Sequence, residues 1–327
     1  MQNPRIENDL ANLGITALSG DADLSLENIF NFIISNLFAE TATLFALLRH
    51  MLIIAILSAL FKAMTTNFKN TSISKLGFYV CYIMVITLLF RTFTMALGIM
   101  TDMVDGITNL LMGATPIIIG LVASGGYVAS AGAFAPILIF ASSFLTFLIN
   151  TAMIPILIST SAISLVSYLS EKEGLDKLSK LMQKGISFGL KSIAVVFISI
   201  LSFQRVATPI LNNIAIRGTR TVVSAVPVVG QALSGAIDTA MFYGQALRGA
   251  ASAALLAAAV AISIIPILQM AAFVVTYKIT AALIAPICDE RLVNAVDTTG
   301  SYAALALGVC VMAAALFIFI VLITLSV

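Results

Sequence analysis

The chain has 327 residues, of which 60% are apolar and 10% charged, and its mean hydropathy is +1.09. Soluble domains run roughly 45–50% apolar and about 25% charged, and a single soluble core stops growing at about 250–300 residues, so an ordinary soluble enzyme and a disordered chain are excluded. The net charge of +2 leaves no basic surplus for a polyanion, which excludes a nucleic-acid binder. An all-α, polytopic membrane bundle remains, with about six to eight spans at about 20 apolar residues each.

Residues 1–28 are polar and acidic, with Glu7, Asp9, Asp21, Asp23 and Glu27 against Arg5. They lack a basic segment followed by an apolar one and read as a soluble arm or a mature end. Ser25 followed by Asn28, Ile29, Phe32, Ile33 and Leu37 begins an interfacial amphipathic helix; residues 1–40 form this first unit. Residues 41–105 hold two spans, about Leu44–Met64 and Leu76–Met100. Lys62, Lys69 and Lys75 between them, with no acid, predict a cytoplasmic loop. Asp102 and Asp105 then read as the outer end of the second span.

A stretch punctuated by Gly and Pro follows, GATPIIIGLVASGG from Gly113. Pro116 removes a backbone donor, and Gly120, Gly125 and Gly126 weaken helix. A re-entrant segment and a kinked full span are both open here, since broken backbone is tolerated in a bilayer only where protein or water covers it. Pro155 divides the uncharged run Phe134–Leu169 into two pieces. A charged loop from Glu171 and a span at Ile186–Phe203 close the unit 106–215. The last unit, 216–327, repeats the order. It has a second Gly/Pro stretch containing Pro227, Gly230 and Gly235, an Ala-rich span with Pro266, a charged loop from Lys278 to Asp297, and the final span Tyr302–Val327.

The two units share landmarks. Pro116 and Pro227 are 111 residues apart, and Ile154-Pro155-Ile156-Leu157 recurs 111 residues later as Ile265-Pro266-Ile267-Leu268. Duplication is the better reading. The first charged loop, with Lys191, has five lysines against three acids, whereas the second has two bases against three acids. That asymmetry suggests loops on opposite faces, an inverted-topology repeat as in transporters; four crossings per copy would give a parallel repeat instead.

No catalytic constellation, cofactor fingerprint or metal-ligand spacing is present. A single His and the dispersed Cys81, Cys288 and Cys310 build no metal site. The spans contain essentially no Asp or Glu, which disfavours a carboxylate proton relay. The polar residues to be placed are Arg91 in the second span, Asn150, best explained by an interhelical hydrogen bond, and Lys278, for which snorkelling is the default. The residues proposed to line or gate a path are Pro116, Gly120, Gly125, Gly126, Pro227, Gly230 and Gly235, with Arg91 secondary; Pro155 and Pro266 are expected helix kinks. A channel subunit, a stand-alone inverted-repeat secondary transporter and a non-conducting scaffold all stay open on these residues.

Three segments, GATPIIIGLVASGG (Gly113–Gly126), IRGTRTVVSAVPVVGQALSGAIDT (Ile216–Thr239) and APICDER (Ala285–Arg291), together resemble the stage III sporulation protein AE family. The resemblance runs in order from about Leu44 to the C-terminus. It implies a non-enzymatic, permease-like subunit of the channel between mother cell and forespore, in the mother-cell membrane around the forespore. The implied partners are the other products of its operon, including the stage III sporulation protein AA ATPase, together with stage II sporulation protein Q. A YidC/Oxa-type insertase is implied for its assembly. The resemblance brings no catalytic residues with it.

Overall fold

A computed structural model describes residues 71–124, 143–168, 177–199 and 229–325, with a few isolated positions besides. The arm and first span expected before residue 71 lie outside the described residues, as do Gly125, Gly126, Pro227 and most of the first charged loop. Every described element is helical, and five helices are long and apolar enough to cross a membrane.

Helix α1 covers Thr71–Ser124, about 80 Å at 1.5 Å per residue. Its buried positions Tyr82, Val85, Leu89, Phe93, Ala96, Met100, Met103, Ile107, Leu111, Ala114 and Ile118 recur every three or four residues. That is one continuous face of a 3.6-residue helix, and it explains why α1 runs on through two points where the sequence suggested an end. Asp102 and Asp105 do not terminate the span; both sit inside the apolar segment Tyr79–Gly120. Pro116 and Gly120 do not break it either. Pro116 costs one backbone bond, but Leu111, Ala114, Thr115 and Ile118 keep that part of the helix packed, and the Thr115 hydroxyl donates to the Leu111 carbonyl at 2.7 Å. Side-chain hydroxyls and neighbouring helices make such prolines tolerable in membrane helices.

Helix α2 spans Ser143–Ser167 and contains a π-turn at Leu148–Met153, followed by α-helix from Ile154 to Ser167. Pro155 therefore does not cut the run in two. The ring of a helical proline clashes with the carbonyl four residues earlier, and the wider π-turn, in which the Ile154 N–H bonds to the Ile149 carbonyl, absorbs that misfit just before it. Helix α3 covers Lys177–Ser199. Helices α4 (Val229–Ile284) and α5 (Glu290–Leu325) form a long hairpin. Pro286 follows the end of α4. Asp289 caps α5 by accepting from the Arg291 N–H at 3.1 Å, and its carbonyl accepts from the Leu292 N–H at 3.0 Å. The APICDER segment is thus a helix stop and a helix start.

α4 and α5 pack along their length, α1 packs against both, and α2 packs on α5 and α1. Ala295, Ala303, Ala306 and Ala313 on α5 are fully buried, and small side chains let helices approach closely.

The inverted arrangement of the two charged loops is not what the fold shows. Tyr168, at the end of α2, bonds Thr298 near the start of α5 at 2.7 Å. Ser164 of α2 bonds both Ser179, at the start of α3, and Tyr302 of α5. The α2–α3 and α4–α5 connections therefore lie at one end of the bundle. The start of α1 lies there too, because the Tyr82 hydroxyl donates to the Leu165 carbonyl at 3.0 Å. An inverted repeat needs an odd number of crossings per copy, and the shared end instead favours the alternative of an even number.

Candidate functional site

Seven residues of α1 share one face. Arg91, Asp102 and Gly113 follow each other at 11-residue intervals, and so do Gly98, Asn109 and Gly120. Eleven residues make three helical turns, so these six and Pro116 fall within about 60° of arc at 100° per residue. All seven are exposed. The structure thus brings together three of the expected path residues, Arg91, Pro116 and Gly120, on one helix face. A methyl group at Gly98, Gly113 or Gly120 would meet nothing within 4 Å. The expected Gly230 and Gly235 lie in the first turns of α4, and the remaining expected residues lie outside the described residues.

This stripe is a poor lipid face. A cation, a carboxylate, a carboxamide, three glycines and a proline lie along about 44 Å of helix, whereas lipid-facing positions are apolar and charged ones cost several kcal/mol at depth.

A second polar feature crosses from α1 to the π-turn of α2. The Asn150 Nδ2 donates to Asp105 Oδ1 at 3.3 Å. One turn away, the hydroxyls of Thr108 and Thr146 lie 2.6 Å apart. The interhelical bond expected of Asn150 is therefore present, and its partner is an acid that the sequence had placed outside the span. Asn150 Oδ1 is buried and, among the described residues, has no hydrogen-bond partner.

A third feature lies toward the end where the connections meet. Tyr82, Tyr277 and Tyr302 are almost completely buried. Tyr277 bonds Thr92 at 2.7 Å, Tyr302 bonds Ser164 at 2.6 Å, and Tyr302 packs edge-on to Phe93 with ring centroids 6.4 Å apart. These hydroxyls tie α1 to α4 and α2 to α5 and are fully explained by packing. Lys278 has defined partners. It pairs with Asp297 at 2.8 Å and bonds Ser301 at 2.9 Å, pinning α4 to α5 beside their turn. Both side chains are near half exposed, so the pair is worth about 1 kcal/mol at most.

The sequence reading missed Asp105 and the stripe, although a helical-wheel count of the non-apolar residues in 91–120 finds both. It also missed the tyrosine contacts, which depend on how distant helices align.

Comparison with known proteins agrees with the segment-by-segment resemblance. The family model described as stage III sporulation protein AE matches residues 9–327. The stage III sporulation protein AE of Bacillus subtilis (strain 168) is 22% identical over 281 residues, covering 86% of this chain and 70% of that one. No solved structure matches.

Proposed function

The chain belongs to the stage III sporulation protein AE family, and from that premise we propose that it is a non-enzymatic, permease-like subunit of the stage III sporulation complex whose path runs along the exposed polar face of α1. The observation that carries this reading is the stripe itself. Arg91, Asp102 and Asn109 supply charge and hydrogen-bonding groups, and Gly98, Gly113, Pro116 and Gly120 leave the backbone open beside them. A helix otherwise apolar all round would keep such a face only toward water or another protein surface. The second Gly/Pro stretch, with Pro227, Gly230 and Gly235, completes the path in this proposal.

The 111-residue offset supports a duplicated design. Pro155 and Pro266 each lie in a helix followed by a short charged connection and a further apolar helix. Because both connections sit at one end, the copies are parallel repeats in this reading. The lysine-rich segments beside α1 and α3 make that end cytoplasmic by the positive-inside rule, which is the mother-cell side if the protein sits in the membrane around the forespore. Stage III sporulation protein AA and the other products of its operon would then dock at this end, stage II sporulation protein Q on the forespore side. A YidC/Oxa-type insertase would place the helices.

The test is cysteine scanning of α1 in the full-length protein in membranes, after replacing the three buried native cysteines. Positions 98, 109, 113, 116 and 120 should react with a membrane-impermeant thiol reagent, while the exposed apolar positions 83 and 117, off that face, should not. Uniform lack of reaction along the stripe, with reaction retained at a loop control, overturns the path reading.

A further inference from the structure

The Asp105–Asn150 contact is part-buried and lies well inside the length of the spanning helices. A methyl group on Gly106 would sit 3.3 Å from Ile262 Cγ2 on α4, and Thr92 faces Tyr277 farther along the same pair. This antiparallel register sets Asp105 opposite about residue 263. That is within about two turns of the centre of the apolar segment Ala254–Ile284.

One acceptor here lacks a donor. Asn150 uses its Nδ2 on Asp105, leaving Oδ1 buried without a partner among the described residues. An unmatched buried acceptor costs about 1–3 kcal/mol, and an ionised carboxylate beside it in the membrane interior adds to that. One bound positive charge would relieve both. Among the described residues no three of His, Cys, Asp and Glu gather. The donor set is one carboxylate with neutral amide and hydroxyl oxygens, which matches a hard cation and not a transition metal.

We propose that Asp105 and Asn150 form a binding site for a single sodium ion, held between the Asp105 carboxylate and Asn150 Oδ1, one turn from the Thr108–Thr146 hydroxyl pair. Among the described residues, 143–167 of α2 and 254–276 of α4 have no titratable side chain and α5 beyond Tyr302 offers only Cys310; α1 brings Asp102, one turn away on the exposed face, and α3 brings Lys191, exposed and two residues from Gly189, which faces Met153.

The test uses the full chain in lipid nanodiscs. The thermal midpoint is followed as sodium chloride replaces choline chloride at constant ionic strength. A sodium site gives a saturable upward shift that potassium reproduces weakly, and the shift is lost in Asp105→Asn and Asn150→Leu but kept in Asp102→Asn. The wild-type comparison stands even if a variant fails to fold. The proposal is overturned if wild type shows no sodium-specific shift, or if the shift survives Asp105→Asn.

Discussion

A methyl group added at Gly300 would lie 3.0 Å from Tyr277 Cβ and 3.5 Å from the Lys278 stem, whereas one added at Gly98 or Gly113 would touch nothing. The Tyr277 Cβ is fixed to its backbone and cannot swing aside, so α4 and α5 would have to separate. Gly300→Ala should therefore destabilise the protein by about 1–3 kcal/mol, the usual cost of overpacking. Gly98→Ala and Gly113→Ala should be neutral or should stabilise by up to about 1 kcal/mol, because alanine favours helix over glycine. Denaturant titration in detergent, followed by helical circular dichroism, separates the two cases. Equal effects at positions 300 and 98 would show that the α4–α5 contact is looser than the structure has it. The same contrast bears on function. An alanine on the α1 stripe that leaves stability intact but impairs sporulation acts on the path or on a partner, and not on the fold.

At the scale of the helix, the apolar composition made spanning segments legible, and the punctuation rules misplaced their ends. The pair Asp102 and Asp105 was read as a terminus because a scan for apolar runs stops at acids. α1 continues past them because its buried stripe from Tyr82 to Ile118 never loses the 3.6-residue period. Pro155 was read as a divider because proline disfavours helix interiors, but the π-turn before it is a compromise set by packing, with no local signature in LINTAM. Asn150 was legible as a cross-helix donor, and its partner was not, since contacts 45 residues apart in sequence follow from helix alignment. The tyrosine hydroxyls fall in the same class and are open to measurement. In Tyr302→Phe, Ser164 and Ser179 still have each other. The loss should be about 0.6 kcal/mol, and at most about 1.7 kcal/mol, the range found for side-chain hydrogen bonds within membranes. A loss of several kcal/mol in the same unfolding assay would mean that this hydroxyl organises the bundle more than its bonds account for.

For the whole molecule, four hydrogen bonds fix which ends of the helices lie together. Tyr82 reaches the Leu165 carbonyl, Tyr168 reaches Thr298, and Ser164 joins Ser179 and Tyr302. They place the start of α1, the end of α2, the start of α3 and the α4–α5 turn at one end, and the sequence at those helix ends carries Lys75, Lys177, Lys180, Lys184 and Arg291. Positive charge concentrated beside membrane helices holds its end in the cytoplasm, whereas acids carry little weight in orientation, so the acidic excess of the second loop does not argue for the opposite side. Single cysteines at positions 180 and 289 should then both be labelled from the cytoplasmic side, and both be protected in sealed right-side-out vesicles until the membrane is permeabilised. Labelling of 180 and 289 from opposite sides would break the common end, restore the inverted repeat suggested by loop charge alone, and require the α2–α3 and α4–α5 hairpins to be packed against each other in the reverse sense.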